Sequence, residues 1–489
     1  MVNKLPYLFN RPVVQVGWIP LILFAFALIL RIWEMDSHPI QLDEPFSLYH
    51  SSASILDIFK MLPNENNPPL HFLILHFWIE LFGIEPFPTR LLSAIFSSFA
   101  VVYTYFFGKE FLNHRTGIAA AFILCLSNLN IVFAHEVRVY SLFTLLAIAT
   151  AYYYFKMLFG PGKTYKYPFI LSSLLLIYSH FFGLILLAGL FLIPFSSKSF
   201  FFTHLKSRMQ SFFWIGVFYL PYSIILLNRF FATSEGNWVP KPNMSHLSWG
   251  IGLFTHFGRF TFIVELILFV YVLYFILQRG EAVKKGYSIL LLFSFCYFSM
   301  FFASSFMPMF IERYLVYLSP FFYLSLFYAL FRILNFNRIM GNTIAVFFLV
   351  VMGSQLRVSY PNSRQPNEAA KYISQLQSPR SATILIPKWW ELNIAYHYDI
   401  EVFKQYGNST NALNKDHIYP IYGGADLERL NNQNLDQILF VDGGSQFCDP
   451  DSTAYQWCHQ RFTKDSLVAQ LEGYKLILFY EALSKKANE

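Results

Sequence analysis

The stretch Val13–Ser47, VVQVGWIPLILFAFALILRIWEMDSHPIQLDEPFS, decides the fold, because an apolar run is followed directly by an acidic loop. The run from Val13 to Trp33 is about as long as a helix that crosses a bilayer. No small-residue cleavage site follows it, so we expect a retained membrane helix and not a signal peptide. Asp43 and Glu44 then lie beside the membrane, where carboxylates are costly unless solvated, paired or used. The pair is a candidate functional site; the alternative is an exposed turn.

The composition indicates a polytopic membrane protein. Of the 489 residues, 55% are hydrophobic and 20% aromatic, but only 13% are charged, which does not fit a soluble globular domain. The formal net charge is +7, and the Lys and Arg residues lie mostly in short segments between apolar runs. This pattern follows the positive-inside bias. We therefore expect membrane lipids as surroundings and no nucleic-acid partner.

The charges around the first run predict the topology. Basic residues precede it and acidic residues follow it, which predicts a cytoplasmic N-terminus and an extracytoplasmic first loop, residues 34–88. Within this loop, Leu70–Gly83 is too short to span and is predicted to lie in the interface. Further spans are predicted near residues 89–107, 117–134, 139–158, 167–180, 181–196, 210–230, 259–278, 287–306, 314–331 and 339–356, making eleven. The chain is thus predicted to be a multi-pass protein of a bacterial inner (plasma) membrane.

A second domain is predicted after the last span. From about Ser359 the residues Asn, Gln, Asp and Gly replace Phe and Leu, so we divide the chain into a transmembrane domain, 1–356, and a C-terminal domain, 357–489. An odd number of spans places the second domain outside the cytoplasm. One helical pattern and several short apolar runs predict a small α/β fold for it. In such a compartment Cys448 and Cys458 are expected to form a disulfide if their separation permits.

Six short motifs follow one another in order within residues 10–356. They are Leu42-Asp43-Glu44; Asn67-Pro68-Pro69-Leu70-His71; Gly83 with Thr89-Arg90-Leu91-Leu92-Ser93; His135-Glu136-Val137-Arg138-Val139-Tyr140-Ser141-Leu142; Tyr178-Ser179-His180-Phe181-Phe182-Gly183; and Glu312-Arg313-Tyr314-Leu315. Each motif alone is weak, but their order on this topology resembles the bacterial branch of the protein O-mannosyltransferase superfamily. That superfamily, glycosyltransferase family 39-like, has the GT-C fold, and the lipid A aminoarabinose transferases are related to it.

The resemblance implies transfer of a sugar from a polyprenyl-phosphate donor to a lipid, glycan or protein acceptor at the outer face. In an inverting transfer, a carboxylate takes the proton of the acceptor hydroxyl. Asp43 matches the first loop acid of the family and is the predicted base. Glu44 is the alternative base, or it orients Asp43 or binds the acceptor. Arg138 and Arg313 are predicted to bind the donor phosphate, because guanidinium groups suit bidentate phosphate recognition; the alternative is snorkelling or pairing with a nearby glutamate.

Further polar residues are predicted to contact donor or acceptor. They are His71, His135, Glu136, Tyr140, His180 and Lys388. For the histidines, the structural alternative is a hydrogen-bonded residue at the membrane edge. No cofactor is firmly expected, although Asp43 and Glu44 together remain an alternative site for a divalent cation.

Two other classes of protein compete with a transferase. A transporter or flippase of lipid-linked sugars would be favoured by internal repeats with broken helices, and the sequence shows no such symmetry. A membrane anchor for the C-terminal domain would not need so many spans. Product formation that requires Asp43 separates the enzyme from both.

Overall fold

The computed structural model describes residues 17–65, 67–160, 162–232, 239, 241–256, 258, 261–277, 281–359 and 364–480, which are mostly helical. The α-helices are α1 (Trp18–Ile32), α2 (Glu44–Ser51), α3 (Ile55–Met61), α4 (Leu70–Phe82), α5 (Pro86–Phe111), α6 (His114–Cys125), α7 (Asn128–Val132), α8 (Tyr140–Phe159), α9 (Lys166–Ser179), α10 (Gly183–Leu192), α11 (Lys198–Phe202), α12 (Leu205–Ala232), α13 (Ser245–Phe254), α14 (Thr261–Leu277), α15 (Glu281–Ala303), α16 (Glu312–Leu315), α17 (Ser319–Ile333), α18 (Arg338–Ser354), α19 (Pro366–Leu376), α20 (Glu391–Tyr398), α21 (Ile400–Phe403), α22 (Ser409–Lys415) and α23 (Thr453–His459).

The described residues include several helices that suit a membrane. Five are long and apolar enough to cross one, judged by length and composition: Pro86–Phe111, Tyr140–Phe159, Leu205–Asn228, Lys284–Ala303 and Glu312–Ile333. Shorter apolar helices of 10–17 residues accompany them, including α1, α4, α6 and α18. Each predicted span contains a helix, and the predicted interfacial segment forms α4. The polytopic helical architecture is thus confirmed, whereas the number of eleven spans stays a prediction.

A buried arginine holds the first helices together. Arg31, at the end of α1, is fully buried and donates to the carbonyl oxygens of Leu124 (3.2 Å) and Cys125 (3.4 Å), where α6 ends. Its Nε also donates to Ser97 Oγ on α5 at 2.7 Å. The end of a helix leaves carbonyl groups without partners and favours a cation. Arg31 therefore ties α1 and α5 to the break between α6 and α7, inside the predicted span 117–134.

The C-terminal part contains a five-stranded mixed sheet. Its strands are β1 (Ser381–Ile386), β2 (Ile418–Pro420), β3 (Gln437–Asp442), β4 (Lys464–Leu471) and β5 (Tyr474–Tyr480), in the order β2-β1-β3-β5-β4. Strands β1, β2 and β3 are parallel, with Ile386 opposite Asp442, and β5 pairs antiparallel with β3 and β4. The predicted α/β character is confirmed; the domain boundary at 356/357 stays a prediction.

One apolar cluster joins this sheet to the acidic loop. It contains Ile40 and Leu48 from the first loop and Val137 from the loop before α8, together with Ile394 and Leu439 from the C-terminal part. All five side chains are buried. Burial of apolar side chains is the main favourable contribution to such packing. The acidic loop is thus held between the apolar helices and the C-terminal part.

The predicted disulfide between Cys448 and Cys458 is wrong for this structure, in which both are free thiols. The Cys458 side chain is fully buried in the apolar cluster on one face of the sheet. Cys448 is half-buried after β3, where burial and then the nearby Asp449 and Asp442 carboxylates raise the pKa of its thiol. Sequence spacing did not reveal that helix α23 turns one thiol into the core.

Glycines bring α5 and α6 into close contact. A Cβ atom at Gly108 would lie 2.5 Å from Cα of Gly117, and one at Gly117 would lie 2.7 Å from the carbonyl oxygen of Tyr105. Both obstacles are backbone atoms that cannot rotate away. Small residues permit such close helix packing in membranes.

We expect Gly108→Ala to destabilise the protein, because the added methyl group forces α5 and α6 apart. A loss of roughly 1–3 kcal/mol is expected from overpacking, measured as a lower thermal midpoint in detergent. Gly216→Ala on α12 is the matched control, since a Cβ there meets nothing within 4 Å. Equal midpoints for the two variants would contradict the close helix contact.

Candidate active site

The two adjacent acids have different environments, and Glu44 is bound on all sides. It is 4% exposed, and its carboxylate accepts two bonds from Arg90: Nε to Oε1 at 2.9 Å and Nη2 to Oε2 at 2.8 Å. The backbone N–H of Val137 donates to Oε1 at 3.1 Å and that of Gln41 to Oε2 at 3.2 Å. Both oxygens therefore accept hydrogen bonds within the protein, which fits the alternative that Glu44 orients Asp43.

Arg90 also holds the loop that precedes the acidic pair. Its guanidinium donates to the carbonyl oxygens of Met35 (2.8 Å), His38 (2.9 Å) and Pro39 (3.0 Å) as well as to Glu44. The residue is 1% exposed. Irregular backbone buried in a protein needs partners for its carbonyl groups. One arginine on α5 supplies three of them and thereby fixes the path of the loop.

Asp43 faces two further arginines and a cavity. Its side chain is 51% exposed; Arg313 Nη1 lies 2.7 Å and Arg138 Nη2 3.9 Å from its Oδ2. Asp43 is the N-cap residue of α2, yet its side chain makes no capping hydrogen bond there, although Asp at this position commonly does. The carboxylate is thus available to groups outside the helix.

Arg138 is fixed by the start of α2. Its Nη1 donates to Ser47 Oγ at 2.9 Å and to the carbonyl oxygen of Asp43 at 3.4 Å. Its guanidinium carbon also lies 5.9 Å from the ring centre of Tyr140. Burial opposes the charge of Arg138, but Tyr140 and Asp43 more than offset it and raise the pKa of the guanidinium above its usual value.

The charges of this site set the ionisation of Asp43. Burial raises the pKa of its carboxyl, but Arg138 and Arg313 together lower it more, so the pKa lies below the ordinary value. Asp43 is therefore a carboxylate at neutral pH. Two cations around one anion leave a local excess of positive charge.

A cavity of about 260 Å³ opens at Asp43. Its wall consists of His38, Gln41, Leu42, Asp43, Glu44, Arg90, Val132, Phe133, His135, Glu136, Arg138, Glu312 and Arg313. The structure thus brings the predicted base, both predicted phosphate ligands, His135 and Glu136 to one place. In sequence these residues are up to 270 positions apart.

His135 and Glu136 are both neutral at pH 7 in this environment. Burial lowers the pKa of His135 to about 4, so it offers hydrogen bonds and no positive charge. Burial, followed by the negative charges of Glu44 and Asp43, raises the pKa of Glu136 to about 8, although both nearby arginines act in the opposite direction. An acid that is protonated at neutral pH therefore lies beside the two guanidinium groups.

The other predicted substrate contacts lie off the cavity wall. Within the part of the chain that the structure describes, the wall includes none of Tyr140, His180, His71 and Lys388. Tyr140 packs near Arg138, and His180 is stacked on Phe143 with 4.9 Å between ring centres. His71 is buried in α4, and Lys388 begins a short 3₁₀ turn after β1. Direct substrate contacts by these four residues stay predictions without support from this geometry.

Arg90 and Ser47 were given no role by the sequence reasoning. Arg90 was part of a quoted motif, and an arginine at the outer end of an apolar helix beside an acidic loop was a usable signal for a buried ion pair. Ser47 carried no comparable signal, since its role follows only from the first turn of α2, which places its hydroxyl near Arg138.

A divalent cation at Asp43 and Glu44 stays a prediction. No group of three or more His, Cys, Asp or Glu residues among the described side chains is arranged to hold a metal ion. Both Glu44 oxygens already accept hydrogen bonds, and Asp43 and Glu44 bind different arginines.

The helical bundle, the C-terminal sheet and the arginine-flanked carboxylate together define a class of protein: a multi-pass membrane protein with the GT-C fold. A family model that matches part of the chain agrees with the superfamily that the six motifs resemble. Residues 66–192 match the family model described as dolichyl-phosphate-mannose-protein mannosyltransferase. No curated protein sequence matches the chain.

Solved structures of two kinds share this fold. ArnT from Cupriavidus metallidurans, bound to undecaprenyl phosphate, is 12% identical with a TM-score of 0.54, over 95% of this chain and 98% of that one. The Archaeoglobus fulgidus oligosaccharyltransferase in complex with zinc and sulfate is 12% identical with a TM-score of 0.51, over 86% and 67%. The archaeal oligosaccharyltransferase AglB with an inhibitory peptide and a dolichol-phosphate is 9% identical with a TM-score of 0.50, over 86% and 69%. At these identities the likeness establishes the fold.

We expect Glu44→Gln to destabilise the protein, because it leaves the buried guanidinium of Arg90 without its counter-charge. Breaking a buried ion pair by removing one partner costs roughly 3–5 kcal/mol, measured as a lower thermal midpoint in detergent. Glu80→Gln is the matched control, since Glu80 is 62% exposed and lies 3.5 Å from His76. If Glu44→Gln and Glu80→Gln have the same thermal midpoint, Glu44 does not hold the loop through Arg90.

Proposed function

We propose that this chain is a membrane glycosyltransferase that moves a sugar from a polyprenyl-phosphate donor to an acceptor hydroxyl with inversion at the anomeric carbon. One observation carries the proposal: Asp43 lies at a cavity wall, 2.7 Å from Arg313 and 3.9 Å from Arg138. A carboxylate and two guanidinium groups are what such a transfer needs. The matching family model and the shared GT-C fold support the same function.

The chemistry assigns one role to each charge. The acceptor oxygen attacks the anomeric carbon while its proton passes to Asp43, acting as general base. The bond between that carbon and the phosphate oxygen breaks, and the phosphate leaves with the electron pair. Arg138 and Arg313 stabilise the growing negative charge, since preorganised cations are worth most where charge develops.

Donor binding activates Asp43 in this scheme. Without donor, Asp43 is the anion that Arg138 and Arg313 bind, which lowers the pKa of its carboxyl and makes it a weak base. A donor phosphate competes for the same guanidinium groups. When they turn to the phosphate, the pKa of Asp43 rises toward the range of an effective base.

An apolar cavity suits the lipid of the donor. It has a volume of about 300 Å³, and its wall is formed by Glu65, Pro68, Phe181, Phe182, Leu184, Ile185, Tyr222, Ile225, Leu226, Leu227, Ala303, Met307 and Met309. Glu65 is close enough to Arg138 to help raise the pKa of that guanidinium, after the larger effects of Tyr140 and Asp43. We therefore place the prenyl chain here and its phosphate at Arg138.

A larger cavity suits the acceptor. It measures about 850 Å³ and shares Val132, Phe133 and Glu312 with the wall of the active-site cavity. Its remaining wall mixes apolar residues with polar ones such as Trp249 and Arg357. We propose that the acceptor, a lipid, glycan or protein, reaches Asp43 through this cavity, which shares no wall residue with the cavity assigned to the prenyl chain.

The proposed topology keeps the sequence-based assignment. The N-terminus is cytoplasmic, residues 1–356 form the transmembrane catalytic domain, and residues 357–489 lie outside a bacterial inner membrane. Hexosyl and pentosyl donors both fit this proposal, and it invokes no metal ion. A flippase without chemistry would need the charged cavity for binding alone.

We expect Asp43→Asn to reduce transfer of labelled sugar by about 10²–10⁴-fold, the usual contribution of a general base, while donor binding survives. The measurement is product formation by purified protein in lipid with a panel of polyprenyl-phosphate sugars. Asp57→Asn is the control, because Asp57 binds Lys60 and Ser54 at the protein surface. Donor binding with no transfer by the unmodified protein, across a panel of acceptors, would favour the flippase.

We expect Glu136 to make donor binding depend on pH. The Glu136 carboxyl has a pKa of about 8 and is neutral at lower pH. At higher pH it becomes a carboxylate, which competes with the phosphodiester of the donor for Arg138 and Arg313. If only the protonated form binds, affinity falls by about tenfold from pH 7 to pH 9. Glu136→Gln should bind equally at both values. Glu401→Gln, at an exposed site, should keep the pH dependence, and an equal slope in all three proteins would exclude this role.

A further inference from the structure

Helix α20 of the C-terminal part contacts the loop that carries Asp43. Asn393 Nδ2 donates to the carbonyl oxygen of Leu42 at 3.0 Å, and His397 Nε2 lies 2.7 Å from that of Ile40, to which it donates. The two residues are four positions apart and therefore share one helix face. Asn393 is 3% exposed. This face of α20 thus binds the backbone of the loop immediately before Asp43.

The carbonyl groups of the loop are divided between two partners. Arg90, on the side of the helical bundle, donates hydrogen bonds to the carbonyl oxygens of Met35, His38 and Pro39. Helix α20, on the other side, binds the carbonyl oxygens of Ile40 and Leu42. A segment without regular secondary structure gains a single conformation when its polar groups are bound in this way. Neither partner alone holds all five carbonyl groups.

The backbone at Leu42 needs such support. Its φ angle is +54°, in the left-handed region, which is unfavourable for a residue with a Cβ atom. Conformations of this kind persist when the surrounding structure over-determines them, and they concentrate at functional sites. The next residue is Asp43, and the one after it begins α2. The turn at Leu42 therefore decides where the carboxylate of Asp43 lies.

Helix α20 is itself held firmly against the loop region. The Tyr396 hydroxyl donates to the carbonyl oxygen of Ile84 at 3.0 Å. Beyond α20, the Tyr49 hydroxyl on α2 donates to the carbonyl oxygen of Gln405 at 3.3 Å and accepts from the N–H of Gly407 at 2.6 Å. The contact therefore extends well past the two side chains that bind the loop, so α20 has a fixed position from which to act.

We propose that Asn393 and His397 are positioning residues for Asp43, so that the C-terminal part completes the active site through the loop backbone. The inference rests on the proposed function, because it matters for transfer only if Asp43 acts on the substrate. Neither side chain is part of the cavity wall among the described residues. Their effect is on the geometry of the base and leaves the phosphate ligands in place.

The kinetic test compares His397→Leu and Asn393→Leu with the conservative His397→Gln, whose amide nitrogen restores a donor near the position of Nε2. Misplacement of a reacting group by about 1 Å costs on the order of 10²-fold in rate, so we expect kcat to fall by roughly 10–100-fold in both leucine variants. KM for the polyprenyl-phosphate sugar should change less than about threefold, since Arg138 and Arg313 are untouched. His397→Gln should recover most of the rate.

Hydrogen exchange provides a readout that does not depend on turnover. Amide exchange over residues 36–48 should accelerate in the leucine variants and return toward normal in His397→Gln. Asn411→Ala is the matched control, because Asn411 is exposed and its amide donates to Asn408 Oδ1 in its own turn. Exchange in β1 and β3 reports whether the sheet stays folded.

The outcomes separate this inference from the function on which it rests. Slower turnover at nearly constant KM, with faster loop exchange, supports positioning. If the unmodified protein is active and the leucine variants match Asn411→Ala in either kcat or amide exchange of the loop, the positioning role is overturned. The proposed function then remains intact. If the unmodified protein transfers no sugar from any donor, the proposed function is contradicted. In that case there is also no catalytic base for Asn393 and His397 to position.

Discussion

The bidentate ion pair between Arg90 and Glu44 is the interaction on which the site depends. A buried ion pair is weak evidence for stability, since desolvation offsets much of the attraction. Its value here is specificity. The pair joins α5 to the first turn of α2, and Arg90 also binds three loop carbonyl groups. With Glu44 turned toward Arg90, the neighbouring Asp43 is directed to the cavity and to Arg313.

Two adjacent carboxylates thus acquire different chemistry from different arginines. Glu44 has no accessible lone pair to offer a substrate, whereas Asp43 is half exposed and binds guanidinium groups at a cavity wall. In the absence of donor, Asp43 binds Arg138 and Arg313, the two cations that would neutralise the charge of a donor phosphate. In the proposed function, the two arginines that keep Asp43 ionised must turn to the phosphate before Asp43 takes a proton, so phosphate binding would activate the base.

The sequence predicted the chemical types at this site better than their geometry. Asp43, Arg138 and Arg313 were expected together only because of the motif resemblance, as hydrophobic periodicity cannot place residues 270 positions apart in contact. The sequence left the choice between Asp43 and Glu44 open, and the contacts of Glu44 with Arg90 favour Asp43 as the proposed base. The Cys448–Cys458 disulfide failed because spacing along the chain does not tell which way a thiol on a short helix faces.

The remaining question is why the loop that carries Asp43 should be held from two directions. Irregular backbone that is buried in a protein needs partners for its carbonyl groups. Arg90 and α20 bind the carbonyl groups of the acidic loop, and its last residues face the cavity. A loop bound on one side alone would leave the carbonyl groups of Ile40 and Leu42 to water and relax the left-handed turn at Leu42. The helical bundle therefore supplies the charges of the site, and the C-terminal part supplies the constraint that keeps one of them in position.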